Sequence, residues 1–119
     1  MILLDTSVWV DHLRQDDPDV AALLAEGRVL AHPHVIGELA LGHLRQRATI
    51  LSALSGLPKA MPATDAEVLG FVDRSGLAGR GIGWVDAHLL AATRLTPGAR
   101  FWTRDRRLAV IAQEMGLAV

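Results

Sequence analysis

The chain has 119 residues, 50% of them apolar and 21% charged, and its 12 basic and 13 acidic side chains balance to −1. That composition excludes a disordered or acidic-tail protein, and the length lets about two-thirds of the unfolded surface be buried without a structural staple. With no cysteine, disulfide frameworks, thiolate zinc sites, iron–sulfur clusters and cysteine nucleophiles are excluded as well.

Taken in chain order, Ile2-Leu3-Leu4 is a short apolar run that reads as a buried strand, closed by Asp5. It lacks the basic start and longer apolar stretch of a secretory signal, and no segment approaches the roughly 18 apolar residues of a membrane span. A cytoplasmic protein without membrane attachment is expected. Thr6 or Ser7 can cap a first helix to about His12, and Pro18 opens a second helix to Ala25 that Gly27 ends. Residues 29–31 read as a second strand. Pro33 then starts a third helix, apolar at Val35, Ile36, Leu39, Ala40 and Leu44. A fourth helix is expected over 49–54, stopped by Gly56 and Pro58, with a short strand at 59–61. Thr64-Asp65-Ala66-Glu67 is a capping box opening a fifth helix to about Ser75. Gly76, Gly79, Gly81 and Gly83 break the chain before a helix over 84–94. Pro97-Gly98 is a turn, 100–102 a strand, and 106–115 a last helix ended by Gly116. This alternation predicts an α/β domain with a parallel sheet.

Three acids stand in apolar stretches. Asp5 is the only charged side chain from residue 1 to 10, Glu38 the only one from 29 to 44, and Asp86 the only one from 81 to 93. An ionised carboxylate in such surroundings costs several kcal/mol unless it is paired, hydrogen-bonded or bound to a metal. In a parallel sheet every strand ends at one edge, where ligand crevices open. Asp5 follows the first strand, and Asp105 follows the 100–102 strand by three residues. Glu38 lies about 7.5 Å along its helix, and Asp86 is in a first helical turn. Four carboxylates at one edge repel unless a hard cation sits among them, and an all-oxygen set suits Mg²⁺ or Mn²⁺.

Four motifs in order, Asp5-Thr6-Ser7-Val8-Trp9, Val35-Ile36-Gly37-Glu38-Leu39, Gly83-Trp84-Val85-Asp86-Ala87-His88-Leu89-Leu90 and Trp102-Thr103-Arg104-Asp105-Arg106-Arg107-Leu108, resemble the PIN-domain ribonucleases, and most of all the VapC toxins of bacterial type II toxin–antitoxin pairs. The resemblance spans residues 2 to about 117. It implies a single PIN-like domain over 1–119, a three-layer α/β/α sandwich with a central parallel sheet. It assigns Asp5, Glu38, Asp86 and Asp105 to the family's acidic quartet and Thr6 and Thr103 to its supporting hydroxyls. The activity it implies is endoribonuclease cleavage by a metal-activated water, with one or two Mg²⁺ ions for which Mn²⁺ substitutes. The implied partners are RNA, a cognate VapB-like antitoxin and a second copy of the chain in a homodimer. Eleven of the 12 cations are Arg, and with four acids set aside for metal the remainder carries a surplus of three cations. Arg80 and Arg104 are the candidate phosphate contacts.

Plainer readings stand beside these. Asp5 and Asp105 can cap helices, and Asp86 can favour a helix dipole; capping does not account for Glu38. His32, His34 and His88 are expected in surface or cap roles. The Gly79–Gly83 stretch lacks the phosphate-loop spacing and reads either as a turn with positive φ or as a mobile loop carrying Arg80. Trp9, Trp84 and Trp102 are expected in the core or at a dimer contact. An aspartyl phosphatase would need an acid at position 7, where Ser stands, and a late Lys, whereas Lys59 is the only Lys. A receiver domain would need a Lys near the last strand and leaves Glu38 without a role. An inactive PIN-like interaction module is disfavoured by the intact acids.

Overall fold

The apolar runs near residues 3, 30 and 101 pair side by side because each is too short for a helix and too buried to stand alone. In the computed structural model, which describes residues 1–119, they form one parallel sheet in the order β2-β1-β3. The elements run β1 (Ile2–Leu4), α1 (Thr6–Arg14), α2 (Pro18–Ala25), β2 (Val29–Leu30), α3 (Pro33–Leu41), α4 (Arg47–Ser55), α5 (Asp65–Arg74), α6 (Trp84–Leu95), β3 (Arg100–Trp102) and α7 (Arg106–Glu114). The architecture is the expected α/β/α sandwich. Register is set from the central strand: Leu3 lies opposite both Leu30 and Phe101, and Leu4 opposite Trp102.

Parallel sheets are covered on both faces, so their strands are apolar at every position rather than alternating. β1 obeys this, with Leu3 and Leu4 wholly buried, and it joins a core of 26 residues that includes Phe101, Leu89, Leu90, Leu108 and Ile111. Truncating a buried leucine removes apolar area and leaves a cavity, together worth about 2–5 kcal/mol. Leu4→Ala is therefore expected to lower stability by about that amount, seen as an earlier urea midpoint without a change in slope.

Several expectations need correction at their edges. The strand expected at 59–61 is one residue-pair bridge, between Ala31 and Lys59. Pro58 and Pro62 flank it, and neither has an N–H to extend a ladder. A second bridge, Phe101 with Ala118, widens the other edge. α3 stops at Leu41, so Leu44 lies outside its apolar face. α4 begins two residues earlier than expected, after Gln46 in the left-handed region at φ 51°. The capping box of α5 forms as read, with Thr64 N–H donating to Glu67 at 2.9 Å and Glu67 N–H to the Thr64 hydroxyl at 3.1 Å.

This topology puts the ends of β1 and β3 at one edge, where the Asp5 N–H donates to the Trp102 carbonyl at 2.9 Å. Asp5 and Asp105 stand just before α1 and α7, Asp86 in the first turn of α6, and Glu38 in the second turn of α3.

Candidate active site

Asp5 is buried at the N-cap of α1. Its Oδ1 accepts from Thr6 N–H at 2.8 Å, while Oδ2 accepts from the Ser7 hydroxyl at 2.9 Å and the Thr103 hydroxyl at 2.7 Å. Glu38, on the exposed side of α3, accepts from the Thr6 hydroxyl at 2.6 Å through Oε1. Asp86, half-buried in the first turn of α6, accepts from Gly83 N–H at 2.9 Å through Oδ2. Asp105 caps α7 by accepting from Leu108 N–H at 3.1 Å, and its own N–H donates to the Thr103 hydroxyl at 3.1 Å. Thr6 thus ties α1 to α3, and Thr103 ties β1 to the β3–α7 turn.

The capping alternatives are realised for Asp5, Asp86 and Asp105. They do not use these groups up. A carboxylate has four acceptor positions, and every one of the four acids keeps at least one free. None of the four forms an ion pair with Arg, Lys or His, although four other acids, on α1 and α7 and at the two ends of α2, do so with arginines. Burial raises the Asp86 carboxyl above its usual 3.8, and the charges of Asp5, Asp105 and Glu38 push it the same way against the pull of the Gly83 N–H. Four elements therefore bring the four acids within electrostatic reach, which is the feature that isolated caps leave unexplained.

The donor set fits a hard divalent cation: all oxygen, anionic, and without a protein cation to neutralise it. No three His, Asp or Glu side chains converge into a finished cage. A shared ion would be held only after these carboxylates turn toward one another, Glu38 from the Thr6 hydroxyl and Asp86 from the Gly83 N–H. The hydroxyl of Thr6 and the N–H of Gly83 hold those carboxylates by single bonds, which is a small cost to exchange for a metal.

Both arginines expected to meet phosphate are held by carboxylates. Arg80 makes a two-pronged pair with Glu114 at 2.7 and 3.1 Å, fastening the 76–83 loop to α7. Within that loop Gly79 and Gly81 take positive φ, as one of the two readings required. Arg104 bridges Asp11 at 3.2 Å and Asp17 at 2.5 Å and lies over the Trp102 ring. Arg106 and Arg107, exposed at the start of α7 beside Asp105, have no acidic partner.

The histidines depart from expectation in one respect. His32 does cap α3, its Nδ1 accepting from His34 N–H at 3.0 Å, and His34 is exposed. His88 is instead buried, 3.0 Å from Asp65 across to α5. It is the apolar run around His88 on α6 that draws it inward. Trp9 is in the core, Trp102 is partly buried against it, and Trp84 is 43% exposed. Trp84 thus leaves the core alternative and lies against His88, ring centroids 4.8 Å apart.

Burial, with His34 and His88 nearby, lowers His32 to about 4, so it is neutral at neutral pH. Its folded value lies below the ordinary 6.5, so the unfolded chain binds the proton more readily. Stability from this group is full above 6.5 and is lost as pH falls toward 4, by up to about 3 kcal/mol. His32→Asn keeps a capping side chain, and its urea midpoint is expected to vary less between pH 6.5 and 4.5 than the wild type's.

Two clefts lie elsewhere. One, of about 530 Å³, opens at the opposite edge of the sheet, where Arg94 and Arg100 donate to the Met115 and Gly116 carbonyls. The other is a smaller apolar groove of about 170 Å³ between α1, α2 and α4, lined by Trp9, Leu13, Leu24 and Leu54. Of the four acids Glu38 and Asp105 are exposed, Asp86 is half-buried and Asp5 is buried.

The family model of the PIN domain matches residues 2–114 of the chain. Two curated relatives from two strains of Mycobacterium tuberculosis, each named Ribonuclease VapC32, are 48% identical to this chain over 119 residues, covering 100% of it and 96% of their own length. The chain belongs to the PIN-domain family.

Ser7 is the one residue of the site that sequence reading passed over. Its signal was weak: a hydroxyl two positions after Asp5 reads as a helix-start residue like any other.

Proposed function

We propose that the chain is a metal-dependent endoribonuclease and the toxin component of a type II toxin–antitoxin pair. The observation that carries this reading is that Asp5, Glu38, Asp86 and Asp105 lie within electrostatic reach of one another and none of them is in an ion pair. The name and 48% identity of the relatives support the same activity.

Asp5 and Asp86 would hold the ion, with Glu38 and Asp105 completing its oxygen ligands directly or through water. A bound Mg²⁺, or Mn²⁺ in its place, as one or two ions, supplies a water of lowered pKa and neutralises charge on the phosphate. Around it the chain's own groups act as orienters. Thr103 and Ser7 fix the Asp5 carboxylate, and Thr6 steers Glu38 toward the position of an attacking water. Arg106 and Arg107, free of acids, meet the RNA backbone first; Arg80 and Arg104 can do so only by exchanging their carboxylates for phosphate. The whole of 1–119 acts as one PIN-like unit in the cytoplasm, and no helix is long and apolar enough to cross a membrane. Its partners are a VapB-like antitoxin, which can send a guanidinium into the acidic edge, and a second copy of the chain.

The test is cleavage of cellular RNA by the purified chain, freed of antitoxin, in Mn²⁺, Mg²⁺ or EDTA. Discrete cuts are expected with metal and none with EDTA. Attack by water leaves plain phosphate ends; cyclic 2′,3′-phosphate ends would mean attack by the ribose hydroxyl, and with EDTA-resistant cutting they would overturn the reading.

A further inference from the structure

We propose that Ser7 is a positioning residue that couples Asp5 to the β3–α7 turn and so sets the metal affinity of the acidic edge. The inference rests on the metal reading above and adds to it a residue outside the acids and the two threonines. The Ser7 hydroxyl sits at a junction: it donates to Asp5 Oδ2 at 2.9 Å and accepts from Arg104 N–H at 3.0 Å. The turn that receives this bond also carries Thr103 and Asp105. Thr103 donates to the same Oδ2 at 2.7 Å and accepts from Asp105 N–H at 3.1 Å.

A hydroxyl has one hydrogen, and both hydroxyls give theirs to Asp5 Oδ2, so the 3.4 Å approach of the Ser7 and Thr103 oxygens carries no hydrogen of its own. Oδ2 then has both lone pairs filled. Oδ1 has one filled by Thr6 N–H and one open. Ser7 thereby leaves Asp5 a single defined position from which to ligate, and it holds the turn that presents Asp105 in register with it. Removing the hydroxyl frees Oδ2, unties the Arg104 amide and lets the two acids move independently. Groups that orient a metal ligand in this way are worth about 10–100-fold in affinity.

The experiment is Mn²⁺ binding to the metal-free full chain, followed by the electron paramagnetic resonance signal of free Mn²⁺, for wild type, Ser7→Ala and Ser7→Thr. Ser7→Ala is expected to bind about 10–100-fold more weakly, with Ser7→Thr restored to within a few-fold because the hydroxyl is kept. Faster hydrogen exchange at the Arg104 amide in Ser7→Ala, with core amides unchanged, is expected alongside. Equal Mn²⁺ affinity in folded Ser7→Ala and wild type overturns the proposal. If Ser7→Ala does not fold, Ser7→Cys decides in its place: near-isosteric and a feeble donor, it should bind at least about tenfold more weakly, and wild-type affinity overturns the proposal. A wild type that binds no Mn²⁺ overturns the metal reading itself and this inference with it, and it is recognised by the absence of any affinity to compare.

Discussion

Asp86→Asn is expected to abolish RNA cleavage while making the metal-free protein harder to melt. The first half follows from the direct-ligand role proposed for Asp86, whose loss should cost more than the 10–100-fold of an orienting group, so a fall of at least about a hundredfold in cleavage rate is expected. The second half follows from the raised Asp86 carboxyl. Its burial and the charges of Asp5, Asp105 and Glu38 disfavour the ionised form in the folded chain. A folded value above the unfolded one means that the folded chain binds the proton more readily. The penalty is therefore absent below the ordinary 3.8 and present once pH exceeds the raised value. Asn carries no charge and keeps an oxygen for the Gly83 N–H, so the cap survives. The Tm difference between Asp86→Asn and wild type should be positive at pH 7 and shrink toward zero at pH 4. Added Mn²⁺ should raise the wild-type Tm at pH 7 and leave the variant's nearly unchanged, since only a ligand that binds the folded state adds stability. A variant that melts earlier than wild type at pH 7 would show that Asp86 serves the fold.

Asp5→Asn should also abolish cleavage, and for the opposite structural reason it should destabilise. Asp5 accepts three hydrogen bonds at 2.7–2.9 Å from donors on two sides. An amide has one oxygen and one NH₂, so either the Thr6 N–H or the two hydroxyls must face hydrogens. Leaving a buried donor unmatched costs about 1–3 kcal/mol. An earlier urea midpoint together with loss of Mn²⁺ binding is expected. The two variants differ by the same single atom type at two acids of one site, yet their stabilities should move in opposite directions. A shared direction would contradict the hydrogen-bond accounting on which the site is built.

The contrast between these acids explains what could be read from the sequence. Asp5, Glu38 and Asp86 were legible because each is the sole charge in an apolar stretch, and Asp105 because it follows a strand at a helix start. Parallel topology then places all of them at one edge without any knowledge of contacts. Strand 2–4 was legible because a central parallel strand is apolar throughout, and 100–102, an edge strand with an exposed Arg100, from the Phe101-Trp102 pair that follows the Pro97-Gly98 turn. The 59–61 segment was misjudged because Pro58 and Pro62 on either side have no N–H with which to extend its single bridge into a ladder. Arg80, Arg104 and His88 were hidden for another reason. Their partners Glu114, Asp11, Asp17 and Asp65 are brought to them by tertiary packing, and no local pattern encodes that an exposed guanidinium has already found a carboxylate. Ser7 was hidden because its role depends on the β3–α7 turn, 97 residues away from it at Arg104.

Anomalous scattering from crystals soaked in Mn²⁺ would show whether the four acids form one cation site. The predicted result is one peak, or two close together, ligated by Asp5 and Asp86 at about 2.0–2.2 Å, with Glu38 and Asp105 in direct or water-bridged contact. An edge without a peak at saturating Mn²⁺, or a peak on His32, His34 and His88 instead, would contradict it.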